Sequence, residues 1–210
     1  ALHADPKLQD LEITAVGHRV VHGGQSFSHP VLVGESELTQ IRDLQPLAPV
    51  HAIPNALGIE AAMQTLPGIP QVAVFDTGFH QTIEDHVFRY AIPEALFQKY
   101  QVRRYGFHGT SHQYVASEAC RHLKLPLENS RLISAHLGNG CSATAILNGK
   151  SVDTSMGLTP LEGLPMGNRS GTVDPNLHGY LAAQAGMSFE EISDLLNHKS
   201  GLLGVSGISN

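Results

Sequence analysis

Tryptophan is absent from this 210-residue chain, cysteine occurs only twice, and no apolar run approaches the length of a membrane span. A transmembrane helix needs roughly 20 consecutive apolar residues, so no membrane partner is expected. Cys120 and Cys141 form no C-x-x-C pair, which argues against both a disulfide framework and a thiolate zinc site. The first residues lack the charged and apolar regions of a signal peptide, and a reducing cytoplasm is the expected location.

Positive charge is also scarce. Lysine and arginine number 13 against 19 acidic residues, so the net charge of -6 provides no basic field for nucleic acid. Any anion that binds must therefore be held by a few local cations. The hydrophobic content of 41% is ordinary for a globular protein, and the length suits one large domain or parts of two.

Strand-like and helix-like segments alternate along the chain, which predicts an α/β fold. Strands are expected at 13–22 and 72–75, and helices at 36–44, 54–66 and 109–123.

Several helix details can also be predicted. Ser36 is expected to cap the first helix. Two helices are expected to close the chain, the second beginning with a capping box formed by Ser188 and Glu191. Helical spacing in 109–123 places these apolar residues on one face: Tyr114, Val115, Ala119 and Leu123.

A glycine-rich stretch, "HLGNGCSATAILNG", contains a match to the dinucleotide-binding pattern G-x-G-x-x-G/A. That pattern requires a helix directly after the glycines, so that the pyrophosphate meets free backbone N–H groups. Here small and β-branched residues follow, and Asn148-Gly149 is the preferred dipeptide of a two-residue hairpin. The sequence therefore predicts a loop joining strands at 131–137 and 140–147, and it disfavours a Rossmann domain.

Two arginines lie in unusual surroundings. Arg19 interrupts an apolar strand in "GHRVVHGG", and Arg169 lies on the glycine-rich loop "LEGLPMGNRSG". The planar guanidinium suits phosphate and carboxylate oxygens, so the two could hold one small anion between them. The alternative, which the spacing leaves open, is that each arginine pairs with a structural carboxylate.

Other candidates are an aspartate and the histidines. Asp76 follows a buried strand, where it could bind a metal, act as a base or cap the next turn. The 13 histidines include two pairs at i,i+4 spacing, His18 with His22 and His108 with His112. Neither pair belongs to an H-E-x-x-H motif, so a permanent zinc site is not expected.

Seven motifs, taken together and in order, identify a resemblance. They are "GHRVVHGG", "LAPVH", "VFDTGFHQT", "RRYGFHGTSH", "HLGNGCSATA", "GLTPLEGLPMGNRSGTVDP" and "SGLLGVSGISN". With these motifs in this order, the chain resembles the acetate kinase family, the acetokinase branch of the actin-like, sugar-kinase and Hsp70 ATPases. The resemblance implies an actin-like (ribonuclease-H-like) α/β fold, with 1–80 from a first domain and 81–210 from a second, flanking a cleft.

The resemblance also implies an activity and its residues. Enzymes of this family transfer the γ-phosphoryl group of ATP to acetate, giving acetyl phosphate and ADP, with Mg²⁺ as cofactor. The positions that match the family's catalytic residues are Asp76, Arg19, Arg169 and His108. The positions that match its phosphate-binding hairpin, with asparagine at the tip, are His136, Leu137, Gly138, Asn139 and Gly140.

A small apolar pocket receives the acyl group in this family, while Arg19 engages the carboxylate. The matching positions are Val21, Val50, His51, Phe107 and Pro160. Val21 makes a narrow wall, so we expect acetate to be preferred to propionate. A propionate or short-chain acyl kinase, and a non-catalytic nucleotide-binding fragment of actin-like fold, remain alternatives. The apolar set disfavours a sugar kinase.

The sequence departs from the family pattern at Ala52, Ile53 and Asn168, so the resemblance defines the acyl site less closely at these positions. The opening phosphate-binding segment of these kinases and the late glutamate associated with magnesium are not present, so metal ligands are expected outside this chain. The chain therefore looks like the middle of a longer kinase, expected to turn over little by itself. The family also suggests a homodimer.

Overall fold

A computed structural model of the chain describes residues 12–208. The opening residues that bear on the signal-peptide interpretation, the start of the predicted 1–80 domain, and the last two residues of "SGLLGVSGISN" lie outside the described residues. No helix in the described part is both long and apolar enough to cross a membrane.

The first sheet has three strands, β1 (Val16–Val20), β2 (Val31–Leu32) and β3 (Gln71–Phe75), in the order β1-β3-β2. β1 pairs with β3 in parallel, and β2 pairs with β3 antiparallel. The carboxyl ends of β1 and β3 therefore meet at one edge of the sheet.

Helices α1 (Glu35–Asp43) and α2 (Ala52–Thr65) follow β2 and pack on each other, and α2 also packs on β1. The apolar residues of these elements form one core: Val20, Phe27, Val33, Leu38, Ile41, Ala56, Ile59, Ala73 and Phe75. Burial of this surface holds the sheet edge in place, since apolar burial is the main favourable contribution to folding.

The predicted boundaries in this region differ from those of the structure by up to three residues, and two of the differences have a clear local cause. The first strand ends at Val20, because the backbone N–H of Val21 donates to the side chain of Asn55 rather than to a neighbouring strand. The N-cap of α1 is Gly34, not Ser36. The carboxylate of Glu37 accepts the N–H of Gly34 at 3.0 Å, which satisfies a free donor at the helix start without a serine cap.

The second sheet is an antiparallel meander of β4 (Arg131–Leu137), β5 (Cys141–Leu147) and β6 (Lys150–Thr154). Asn148 and Gly149 join β5 to β6 with φ of 52° and 77°, as a type I′ turn requires. The predicted pair of strands and hairpin turn are confirmed, with the second strand beginning one residue later than predicted.

Between the sheets the chain forms a 3-10 segment (Gly78–Thr82) and three helices, α3 (Asp85–Phe88), α4 (Glu94–Tyr100) and α5 (Gly109–Leu123). A second 3-10 segment (Leu127–Asn129) leads into β4. The first 3-10 segment (Gly78–Thr82) packs on β6, and α5 packs on both β4 and that same segment. These contacts join the two sheets.

The predicted ends of α5 are confirmed, but its predicted face is wrong. Tyr114, Val115 and Leu123 are exposed. The buried stripe consists of small or polar residues at i,i+3 and i,i+4 spacing: Gly109, His112, Ala116 and Cys120. The helix comes too close to its neighbours for large side chains, since a Cβ at Gly109 would lie 2.3 Å from the carbonyl oxygen of Asp76.

Three helices, rather than two, close the described part of the chain: α6 (Leu177–Ala185), α7 (Phe189–His198) and α8 (Gly201–Ser206). The capping box on α7 is confirmed, with Ser188 and Glu191 each bonding the other's backbone N–H. The additional helix α8 depends on tertiary contacts, because the N–H of Leu202 donates to the carbonyl of Met166 at 2.9 Å.

Candidate active site

Arg19 and Asp76 form the first part of the site. The parallel pairing of β1 with β3 brings them together although 57 residues separate them. Nε and Nη2 of Arg19 donate to the two carboxylate oxygens of Asp76 at 2.8 and 2.7 Å. This hydrogen-bonded pairing raises the pKa of Arg19. The carboxylate is 2% exposed and the arginine side chain 61%, so a buried anion orients a guanidinium whose outer side faces solvent.

Arg19 therefore pairs with a carboxylate of the fold, which is the alternative that the sequence spacing left open. Asp76 does not cap the following turn through its side chain; it accepts two hydrogen bonds from Arg19. Each oxygen of this carboxylate accepts one hydrogen bond from Arg19, and Mg²⁺ in nucleotide sites is usually held by one or two carboxylates together with substrate phosphates and water. The described residues hold no group of three or more His, Cys, Asp or Glu that could bind a metal.

Arg169 lies on the loop between β6 and α6 and is partly buried. Its Nη1 donates to the carbonyl of Pro160 at 3.1 Å, and the guanidinium makes no ion pair among residues 12–208. The loop is held by the hairpin, because the N–H of Gly167 donates to the carbonyl of Asn139 at 3.0 Å. A cation without a carboxylate partner is available to bind an anion.

His108 connects the two arginines. It is the N-cap of α5, with the left-handed φ of 58° that is uncommon for a residue with a side chain. Its pKa is lowered to about 4, mainly by burial and in smaller part by the neighbouring His136, Arg19 and Arg169, while Asp76 opposes them. His108 is therefore neutral at pH 7, and it lies within electrostatic reach of both arginines and the aspartate.

The tip of the β4–β5 hairpin completes this cluster. The ring of His136 stacks on that of His108 with centroids 4.0 Å apart. A Cβ at Gly140 would lie 3.2 Å from Nη1 of Arg169 and 3.8 Å from the ring of His108, so the hairpin tip lies directly against both side chains. The side chain of Leu137, in contrast, is 80% exposed.

Asn139 and Gly138 form the outermost part of the same tip. Nδ2 of Asn139 donates to Oδ1 of Asn168 on the opposite loop at 3.3 Å. A Cβ at Gly138 would come within 3.4 Å of Nε2 of His136. The hairpin tip and the Arg169 loop are thus in direct contact, and the glycines leave backbone N–H groups accessible beside the arginine.

An apolar cavity of about 380 Å³ adjoins this cluster. All five positions that the resemblance assigns to the acyl site line it: Val21, Val50, His51, Phe107 and Pro160. Val50 is 73% exposed and so lies at the rim. The carbonyl of Pro160 accepts from Arg169, which connects the cavity wall to the cation.

Several other residues of this region were not predicted from the sequence. The cavity is also lined by His22, His178 and Phe189, and Ser142 bonds both His108 and His112. The i,i+4 spacing of the two histidines was the one available signal; it was weighed only as a metal motif and set aside, and it gave no indication of a shared serine.

The two sheets, joined through the 3-10 segment and α5, and the arginines around a glycine-rich hairpin place the chain in the actin-like class of α/β ATPase folds. The chain belongs to the acetokinase family, whose model matches residues 2–210.

Similar proteins of known sequence are described as acetate kinases. The chain is 61% identical to the acetate kinase of Deinococcus radiodurans over 94% of its length, and 58% identical to that of Ectopseudomonas mendocina over 95%. In both cases it spans 50% of the relative's length.

Solved structures agree. The crystal structure of Porphyromonas gingivalis acetate kinase is similar with a TM-score of 0.94 and 49% identity, over 100% of this chain and 54% of the other. A propionate kinase from Francisella tularensis is similar with a TM-score of 0.89 and 51% identity, over 94% and 51%. The expected fold and family are therefore confirmed.

Four histidines make the stability of the chain sensitive to acid. Burial lowers the pKa of His22, His80 and His108 to about 4 and that of His112 to about 3. The unfolded chain binds more protons between pH 6.5 and 4, so stability is full above pH 6.5 and falls as the pH drops through that window. Each histidine contributes a slope of up to about 1.4 kcal/mol per pH unit.

We therefore expect the Tm to fall steeply from pH 6.5 to 4.5, before most carboxylates are protonated. Calorimetry across that range measures it. His198→Gln is the matched control, because the His198 side chain is 66% exposed and its loss should leave the pH dependence unchanged. A flat Tm over the window would contradict the prediction.

Proposed function

We propose that this chain supplies the acyl and phosphoryl site of an enzyme that transfers the γ-phosphoryl group of ATP to acetate, giving acetyl phosphate and ADP. The single observation that supports this most is the convergence of two guanidinium groups, a buried carboxylate and a neutral imidazole beside an apolar cavity. Arg19, Asp76, Arg169 and His108 are the proposed catalytic residues.

The chemistry of phosphoryl transfer explains why these groups suit the reaction. The transition state spreads negative charge over three equatorial oxygens, and catalysis comes mostly from cations and donors placed around them. The two hydrogen bonds to Asp76 fix the orientation of the Arg19 guanidinium, and its Nη1 has no partner among the described residues. We assign Arg19 and Arg169 to the acetate carboxylate and the migrating phosphoryl group, and His108 to a phosphoryl oxygen as a neutral donor.

The nucleotide phosphates are assigned to the hairpin tip, residues 136–140. Glycines there leave the backbone N–H groups open, and backbone N–H groups of a glycine-rich loop are common phosphate donors. Magnesium, when bound with the nucleotide, neutralises phosphate charge, and no described residue is assigned to it. A cytoplasmic location, inferred from the scarce cysteines, and a homodimer, implied by the family resemblance, are part of the same proposal.

The apolar cavity favours a short acyl chain. The side chains of Val21 and Phe107 line it, and the rest of its wall is mostly apolar. Such a wall discriminates between acids by the methylene groups it can accommodate, each worth about 0.8 kcal/mol when buried. We propose acetate as the preferred acid. A propionate kinase is the second candidate, because a structure of that description is 51% identical to this chain.

Val21→Ala should shift the preference toward propionate. Removing two methyl groups from the wall makes room for one more methylene, so the propionate-to-acetate ratio of kcat/KM should rise about fourfold. Steady-state kinetics with both acids measures it. Val205→Ala, at a position 92% exposed, is the matched control. An unchanged ratio in Val21→Ala would contradict this role of Val21, and a wild-type preference for propionate would favour the second candidate.

Hydroxylamine trapping tests the function directly. The acyl phosphate reacts to a hydroxamate, which is measured with ATP, magnesium and acetate present. Because the chain spans about half the length of its relatives, the assay compares the chain as it stands with a form joined to the flanking segments of a full-length acetate kinase. We expect hydroxamate from the joined form, dependent on both ATP and acetate. Nucleotide binding without hydroxamate from that form would favour a non-catalytic module and refute the proposal.

A further inference from the structure

Three buried side chains form a line of hydrogen bonds that ends on His108. Oγ of Ser134 lies 3.0 Å from Nδ1 of His112, Nε2 of His112 lies 2.8 Å from Oγ of Ser142, and that oxygen lies 2.9 Å from Nδ1 of His108. His112 and Ser142 are fully buried, and Ser134 is 5% exposed. Water therefore has little access to these bonds, and the partners must satisfy one another.

Both imidazoles in this line are neutral. The pKa of His108 is lowered to about 4 and that of His112 to about 3, mainly by burial and in smaller part by the neighbouring histidines. A neutral imidazole carries one proton, so each ring donates from one nitrogen and accepts at the other. Each hydroxyl likewise has a single proton. The line can therefore run in two directions with every bond made in sequence, and a third arrangement, in which both rings donate to Ser142, leaves the buried Ser142 proton without an acceptor.

The hydroxyl of Ser134 distinguishes the two directions. In the first, Ser134 donates to His112, His112 donates to Ser142, and Ser142 donates to His108. Every buried proton then has an acceptor. In the second direction all three bonds are reversed, and the Ser134 proton has no acceptor, since Nδ1 of His112 is the only partner of that hydroxyl among residues 12–208. An unpaired buried donor is costly, so the first direction is favoured.

The first direction has one consequence at the site. Nδ1 of His108 accepts from Ser142, so the single proton of this imidazole is on Nε2. That nitrogen makes no hydrogen bond within the described part of the chain, and the ring lies beside the position where Gly140 approaches Arg169. The reverse direction would instead present a lone pair at Nε2, which would repel an anionic oxygen.

We propose that Ser142, aligned by His112 and Ser134, is a positioning residue that holds His108 as the neutral Nε2–H tautomer and so presents a donor, not an acceptor, to the reacting phosphoryl group. That the phosphoryl group accepts the hydrogen bond from Nε2 rests on the proposed function, whereas the tautomer of His108 does not. The two are therefore tested separately.

The tautomer is measured by ¹⁵N-edited NMR of the chain labelled in histidine, at pH 7.5. We expect His108 to show a protonated Nε2 and an unprotonated Nδ1, and Ser142→Ala to make the other tautomer detectable. Ser151→Ala is the matched control, because it removes an equally buried serine bond, 2.8 Å long, to a different histidine, His80. A proton on Nδ1 in the wild type would overturn the proposal, as would a tautomer unchanged in both Ser142→Ala and Ser134→Ala.

Kinetics of the joined form test the positioning role. Ser142→Ala should lower kcat roughly tenfold with little change in KM for acetate, because the acyl cavity does not include Ser142. Ser142→Thr, which retains the hydroxyl, should recover most of the loss, and Ser134→Ala gives a second variant should threonine not fit. Unchanged kcat in Ser142→Ala would refute the positioning role. If no form shows kinase activity, the NMR result still decides the tautomer.

Discussion

Replacing Asp76 with asparagine is expected to lower acyl phosphate formation by at least about 10²-fold, the effect of losing a well-placed stabilising group. The carboxylate accepts two hydrogen bonds from Arg19, one at each oxygen. An asparagine of the same shape accepts one and turns an NH₂ group toward the other, so the guanidinium loses its fixed direction. Hydroxamate formation by the joined form measures the loss.

The fold should survive this substitution. The Arg19 side chain is 61% exposed, so water can solvate it when the ion pair is lost, and the Tm should change by only a few degrees. Asp194→Asn is the matched control, since it removes a carboxylate that pairs with Lys199 and His198 on the surface. Near-normal activity in Asp76→Asn, or an equal loss in Asp194→Asn, would contradict the proposed role of the pair.

Arg169→Ala is expected to lower kcat by about 10³-fold, the order of effect attributed to an arginine that stabilises the phosphoryl transition state. Arg169 makes no ion pair within the described residues, so its charge is not committed to holding the structure. Arg169→Lys should restore only part of the rate, because an ammonium cannot match two oxygens as the planar guanidinium does.

The KM for acetate should also rise in Arg169→Ala, because Nη1 holds the carbonyl of Pro160 at the cavity wall. Steady-state kinetics of the joined form separates the two effects. Arg121→Ala, which removes an exposed arginine paired with Glu118, is the control and should behave as the wild type. A loss in Arg169→Ala confined to KM would show that the residue binds substrate without acting on the transition state.

Local features of the fold could be predicted from local sequence. The Asn148-Gly149 turn and the capping box of Ser188 and Glu191 each depend on residues within a few positions of one another, and the structure has both. The ends of α5 follow in the same way. These signals are strong because positive φ angles and free N–H groups are requirements of the backbone itself.

Features that depend on distant contacts were predicted less well. The buried face of α5 is polar, because His112 finds the hydroxyls of Ser134 and Ser142, 22 and 30 residues away. Apolar spacing selects the wrong side of such a helix. Helix α8 likewise depends on carbonyl groups of the Arg169 loop, which no pattern within its own residues reveals.

Residue patterns along the chain were enough to predict the alternation of strands and helices, the hairpin beside the glycines and, through seven motifs in order, the family and its candidate residues. The pairing of Arg19 with Asp76 and the neutral state of His108 could be found only from the folded arrangement. Both outcomes arise from proximity and burial. Residues 57 positions apart meet because two parallel strands end at one edge, and the pKa of an imidazole depends on how much water the surrounding elements exclude.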